Sequence, residues 1–368
     1  MKKLIALLLA LVMVLGLVAC GGSSEPAPEA PAADAPAAEA PVEETPAEPI
    51  PLKISHHPYM HGLGTTYAAE NGLYDIFDYT VDYYAGGPVQ NEAIASGAWE
   101  VGTTGIAGAV LGITGYNMKV LGLLQDEATV TDFWCRADSA LASAERDEAG
   151  ILGTAEDWKG LDVLIATGTN THLMLIATLE HLGLNETDVN IIDCSSVPNV
   201  YTAFLAGEGD VAFIWAPYGY SLANDPEYVK VGALSDLGIS LPTLVVCTEE
   251  AYNNRPEVVQ QWLDIYYQAC DGLMADPVAG AEMLLNFSEE QGIVMDEVAS
   301  QQEFEYRPLW SVADNKPLFE TNANGTSDVY ELMMTYAAFM MSQGKITQEQ
   351  YDAMAASDFV SDMILNIG

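Results

Sequence analysis

Three histidines fall within six residues, His56, His57 and His61, with Tyr59 among them. Imidazole nitrogens can ligate a metal or exchange hydrogen bonds with a small polar guest. Zinc sites usually draw their ligands from several elements in a fixed geometry, so no metal is expected. A cleft lined by Tyr59 and one of these histidines, His56 or His61, fits better, and plain loop histidines remain open. The second candidate is Gly168-Thr169-Asn170-Thr171, which opens an apolar helical pattern. A helix N-terminus carries unpaired N–H groups and partial positive charge, so this loop can hold a carboxylate or sulfonate head without lysine or arginine. The same residues equally suit an ordinary N-cap. Gly86-Gly87, opening onto the helix from Val89, offers a similar backbone cradle beside Tyr84, and Thr104 ends a nearby strand. Trp215, Tyr218 and Tyr84 can stack on an apolar or cationic part of a ligand, or simply pack as a lid. Asp126 and Glu127 can pair with a ligand amine, though most acids in so acidic a chain are solvated.

These residues must be placed by strands and helices. Residues 202–220 read as a helix tail stopped by Gly207, a buried strand Val211-Ala212-Phe213-Ile214, and a corner at Pro217. That leaves Trp215 and Tyr218 at the C-terminal strand end, where open α/β sheets bind ligands. Ser96-Gly97-Ala98-Trp99-Glu100-Val101 aligns with Ala206-Gly207-Glu208-Gly209-Asp210-Val211, which implies two similar lobes around a shared cleft. Strands at 52–55, 77–84, 101–104 and 119–124 alternate with helices at 65–71, 89–96 and 108–114. Strand 161–166 and helices 172–182 and 197–206 follow. Strand 243–248 then returns to the first lobe, and helices at 256–285 and 328–343 finish it. The class is α/β: two lobes, each a mostly parallel sheet flanked by helices, with two crossover strands as a hinge. The expected division is 52–133 and 245–368 for the first lobe and 134–244 for the second.

The chain carries 53 Asp plus Glu against 12 Lys plus Arg, a field that repels nucleic acid and anionic lipid. No serine elbow, P-loop, Rossmann fingerprint or Cys/His pair at useful spacing is present, so an enzyme is not expected. Cys135, Cys194, Cys247 and Cys270 show no metal-ligand spacing. Cys135 and Cys247 sit in apolar segments assigned to the hinge; a disulfide between them is conceivable, and buried free thiols are the simpler expectation.

Residues 1–19 have a basic start, Lys2-Lys3, and an apolar run too short for a membrane span. Leu17-Val18-Ala19-Cys20 resembles the bacterial lipoprotein signal, which implies cleavage before Cys20, acylation there (palmitate included) and an anchor on the outer face of the cell membrane. Residues 20–51, rich in Pro, Ala and Glu, form the expected disordered tether.

From about Leu52 to Asp314 the chain resembles the solute-binding proteins of ABC importers in the sulfonate, nitrate and taurine group, whose fold thiamine-pyrimidine-precursor binders share. The resemblance is carried by Ala68-Ala69-Glu70-Asn71-Gly72-Leu73-Tyr74, Gly86-Gly87-Pro88 before a helix ending in Ala95-Ser96-Gly97, and Asp157-Trp158-Lys159-Gly160. Gly168-Thr169 before a long helix, and Gly207-Glu208-Gly209-Asp210 with Trp215-Ala216-Pro217-Tyr218, complete it. It implies a type II periplasmic-binding-protein fold and a monomer without cofactor. Such a protein captures a small polar molecule and passes it to the permease subunits. Pyrimidine-precursor synthesis on a similar fold, a ligand sensor and a metal binder are the alternatives.

Overall fold

The computed structural model describes residues 48–368, so the expected signal peptide, Cys20 and most of the expected tether lie outside the described residues. Ten strands form two five-stranded sheets. β1 (Ile50–His56), β2 (Phe77–Tyr83), β3 (Val101–Gly105) and β4 (Lys119–Asp126) build the first. β5 (Thr131–Arg136), β6 (Asp162–Ile165), β7 (Asn190–Asp193), β8 (Val211–Trp215) and β9 (Tyr228–Ala233) build the second. β10 (Pro242–Cys247) returns to the first. The spatial orders are β2-β1-β3-β10-β4 and β7-β6-β8-β5-β9. In each sheet a single strand, β10 or β5, runs antiparallel to both its neighbours; the other pairings are parallel.

The two sheets are copies of one plan, as the paired helix-turn-strand segments imply. Gly97 and Gly207 both take positive φ, 64° and 90°, and end the helices that lead into the central strands β3 and β8. The acid just before each strand does the same work in both. Glu100 accepts from the Lys53 backbone N–H (3.0 Å), and Asp210 accepts from that of Asp162 (2.8 Å). Each ties its central strand to the neighbouring β1 or β6. β3, β8 and β10 are buried along their whole length, which explains their unbroken runs of small and apolar residues.

The chain changes sheets at 127–130 and 234–241, a few residues ahead of the expected boundaries at 133/134 and 244/245. The first strand also starts earlier, at Ile50. Pro51 is accommodated because β1 pairs with β3 only from Ile54 onward, so no neighbour on that side needs its missing N–H there. The two crossover segments bond each other, Glu127 N–H to Leu241 O at 3.0 Å and Ser235 N–H to Ala128 O at 3.1 Å. Cys135 and Cys247 are not at this hinge. β5 and β10 run antiparallel to their neighbours and carry them opposite Val211 and Val101, at the far ends of the sheets. Both are unpaired, as are Cys194 and Cys270. Among the described residues no helix is long and apolar enough to cross a membrane.

Candidate functional site

The C-terminal ends of the parallel strands from both sheets meet across one hollow, and helices begin there. Met60–Glu70 follows β1, Gly87–Ile94 follows β2 and Ile106–Tyr116 follows β3. In the second lobe Asn170–His181, Val197–Leu205 and Tyr218–Ala223 follow β6, β7 and β8. None of these six helices has an acid in its first turn. Most peripheral helices differ, Pro277–Glu290 being an exception with none. Glu249–Asn254, Pro256–Ala275, Glu297–Tyr306, Val312–Phe319, Asp328–Ser342 and Gln348–Ala355 all carry one or more. Acids at helix N-termini are stabilising, so their absence here, in so acidic a chain, leaves the dipoles free for an outside anion.

The hollow is lined by His57, Tyr59, His61, Gly87, Gly105, Gly108, Glu127, Thr169, Asn170 and Trp215. Its volume of ≈ 20 Å³ holds about one water. Four of its side chains hold a polar atom with no well-formed hydrogen bond, His57 Nε2, Tyr59 OH, His61 Nδ1 and Trp215 Nε1; Tyr59 lies close to Trp215 and Tyr218, and His57 close to Gln90, without good bonding geometry. All four residues are more than nine-tenths buried, with relative exposures of 6 %, 4 %, 2 % and 8 %. A buried polar group left unpaired costs about 1–3 kcal/mol, so the wall of this hollow carries donors and acceptors that the empty protein does not use.

Beneath the hollow lies a charged relay. His61 Nε2 meets Glu127 Oε1 at 3.0 Å, and Arg307 Nη1 donates to the same oxygen at 2.8 Å. Arg307 also pairs with Glu303, and Gln125 Nε2 donates to Glu127 at 3.2 Å. Burial would raise the Glu127 carboxyl, but His61 and the Arg307 guanidinium hold it down at about 2. Burial, reinforced by His61, drives His57 down to about 3, so its ring is neutral. Burial likewise keeps the Tyr59 phenol protonated. His57 and His61 stack with centroids 5.0 Å apart. Arg307 is the cation nearest the hollow, and its charge is taken by two carboxylates. An anion bound here would therefore rest on helix N-termini and neutral donors.

The lobes touch. Asn170 Oδ1, from the second lobe, accepts from the Ala107 N–H (3.1 Å) in the first turn of the Ile106 helix, in the first lobe. A Cβ at Gly105 would lie 2.5 Å from Asn170 Nδ2, and one at Gly87 only 2.6 Å from Gly108 Cα. These positions are glycine because backbones and the Asn170 amide close on one another there.

Of the residues expected from sequence, Tyr59, His61, Gly87, Thr169, Asn170 and Trp215 come together around the hollow. His56 does not; its ring is fully buried, bonded through Nδ1 to Thr103 (2.8 Å) and through Nε2 to Thr65 (2.8 Å), and it stacks on Tyr266. It is the last residue of β1 and is held in the core, whereas His57, the first residue beyond the strand, lines the hollow. Tyr218 supports the wall by packing against Tyr59 and Tyr201, with Tyr59 edge-on between it and Trp215. Gly86 and Gly168 stand just outside, facing Thr169 and Pro88 across the cleft. Thr171 turns inward to Thr169 Oγ1, Thr104 lies against Gly87 and Gly108, and Tyr84 packs on the first-lobe core. His57, Gly105 and Gly108 were missed, and Glu127 was read only as a partner for a ligand amine, beside Asp126. Glu127 had a signal, an acid directly after a strand at a lobe crossing. The two glycines had one as well, since they flank the end of β3. Among the described residues no three His, Cys, Asp or Glu side chains are grouped to hold a metal.

A family model described as "NMT1/THI5 like" matches residues 63–280. A putative ABC transporter periplasmic binding protein of Brachyspira hyodysenteriae is 27% identical over 304 residues, covering 81% of this chain and 84% of its own. Among solved structures, the alkanesulfonate-binding protein of Xanthomonas axonopodis pv. citri, bound to MOPS, superposes with a TM-score of 0.67 at 20% identity, covering 86% of this chain and 99% of the other. The periplasmic aliphatic sulphonate binding protein of Escherichia coli gives a TM-score of 0.64 at 18% identity over 82% and 94%. The fold is that of periplasmic binding proteins.

Proposed function

Since the chain belongs to the NMT1/THI5-like family, we propose that it is the extracytoplasmic solute-binding component of an ABC importer. In this reading it acts as a monomer anchored through lipid on Cys20. It captures a small organic anion or zwitterion with a sulfonate-like head and hands it to the permease. The reading assigns no reaction on the ligand. One observation carries it: acid-free helix N-termini and four buried polar atoms without a well-formed hydrogen bond converge on a single hollow between the lobes. The names of the relatives are consistent with it.

The hollow has room for about one water, so entry requires the lobes to part at the crossover pair. A sulfonate head is larger than one water, so the ligand then stabilises a closed arrangement wider than the empty one, by supplying partners that the empty one lacks. In that state the head accepts from Trp215 Nε1 and from backbone N–H groups at the helix N-termini. The Tyr59 hydroxyl and the neutral ring of His57 complete its partners. An amine on the same ligand would find Glu127.

A thermal-shift panel tests this. Methanesulfonate, taurine, nitrate and acetate belong on one arm, and choline and Zn²⁺ on the other. A ligand at a hundred times its dissociation constant adds about 2.7 kcal/mol of stability. Stabilisation by the sulfonates supports the reading; stabilisation by choline alone, or by Zn²⁺ alone with reversal by EDTA, overturns it.

A further inference from the structure

The loop that carries Thr169 and Asn170 is held from behind as well as from the hollow. The Gly168 N–H donates to His172 Nδ1 at 3.1 Å. His172 Nε2 lies 2.8 Å from Glu186 Oε1, and Lys345 Nζ donates to that same oxygen at 3.0 Å. Because Nδ1 accepts from the backbone, the ring proton sits on Nε2 and is donated to Glu186. Gly168, His172 and Glu186 belong to the second lobe. Lys345 follows the Asp328–Ser342 helix, which lies on the Ile106–Tyr116 helix of the first lobe. The ion pair therefore crosses between lobes, beyond the two covalent crossovers.

Around it the packing is loose. A space of ≈ 190 Å³ remains among Leu111, Ile176, Met340 and Lys345. A second of ≈ 310 Å³ lies among Leu173, Ile239, Leu332 and Phe339. Both spaces are clefts open to solvent, so along them the helix and the second lobe are not in apolar contact. Polar pins do more of the fixing. Besides Lys345, Gln343 Nε2 donates to Glu180 Oε1 at 2.5 Å, and the Tyr336 hydroxyl donates to Ser240 O in the second crossover.

We infer that Lys345 is a positioning residue for ligand binding: its ion pair with Glu186 clamps the Gly168–Asn170 turn against the first lobe from the side opposite the hollow, and so favours closure. The same turn then meets the first lobe on both faces, through Asn170 to Ala107 in front and through His172, Glu186 and Lys345 behind. This rests on the hollow being the binding site, but its test needs no ligand.

Hydrogen exchange read by mass spectrometry on the full chain, without ligand, gives the answer. In Lys345→Ala and Glu186→Gln the segment 167–173 is expected to exchange about two- to fivefold faster, as its local opening becomes easier. Lys345→Arg should stay near wild type, and β8 should not change in any of them. The inference is overturned if Lys345→Ala leaves 167–173 at the wild-type rate. It is equally overturned if Lys345→Arg exchanges as fast as Lys345→Ala, or if β8 accelerates in step with the loop. A methanesulfonate titration is a separate matter; failure of wild type to bind it would remove the proposed ligand class and leave the exchange result standing.

Discussion

His57 is held neutral in a place where its ring nitrogen has no well-formed hydrogen bond, and that has a consequence for stability. Its folded pKa is about 3, against 6.5 for the free side chain, because burial and His61 both oppose the charge. Between those values the unfolded chain binds a proton that the folded one does not, so stability falls as pH drops from 6.5 toward 3. From pH 7 to pH 5 this single group should remove about 2 kcal/mol. His57→Gln abolishes that part of the loss, and urea unfolding at the two pH values would reveal it as a shallower decline than in wild type. Tyr59 makes a second case. Its hydroxyl is buried beside Trp215 and Tyr218 without a well-formed hydrogen bond, so Tyr59→Phe should stabilise the empty protein by about 1 kcal/mol. The same change should weaken methanesulfonate binding. If unfolding shows Tyr59→Phe less stable than wild type, the hydroxyl has a partner after all and is not reserved for a guest.

At the scale of elements, the site depends on how closely the strand-end turns approach. A Cβ on Gly87 would press on the backbone of Gly108, which cannot yield as a side-chain tip would. Gly87→Ala should therefore cost about 1–3 kcal/mol through overpacking and displace the Gly87–Ile94 helix from the hollow. Equal thermal stability and equal methanesulfonate affinity in this variant would show that the two turns are not held together as described. The turns themselves were largely legible. Gly97 and Gly207, each followed by an acid and a buried strand, gave away the twofold plan, and the glycine-led helix starts pointed to the strand ends. What could not be read was the direction of individual side chains. His56 and His57 are adjacent, yet one ends β1 in the core and the other, the first residue beyond the strand, lines the hollow. Glu127 looked like one acid among many because its partners lie far off along the chain; His61 is 66 residues away and Arg307 is 180.

For the whole molecule, the decisive quantity is charge. With 53 acids against 12 lysines and arginines, the net charge repels the anion that the proposed function assigns to the hollow, and the two effects act at different distances. The surface field is screened over a Debye length of about 10 Å at 0.1 M salt. Helix N-termini and buried donors act within hydrogen-bonding range and are screened far less. For an anionic ligand, raising salt from 10 to 300 mM should therefore speed association several-fold while changing dissociation little. Stopped-flow tryptophan fluorescence, with Trp215 beside the ligand, would follow both rates. A zwitterion such as taurine should show almost no dependence, and a cation the reverse. Association of methanesulfonate that slows as salt rises would mean that a positive field guides it. The net charge of the chain is strongly negative, so that outcome would contradict entry of an anion by the route proposed.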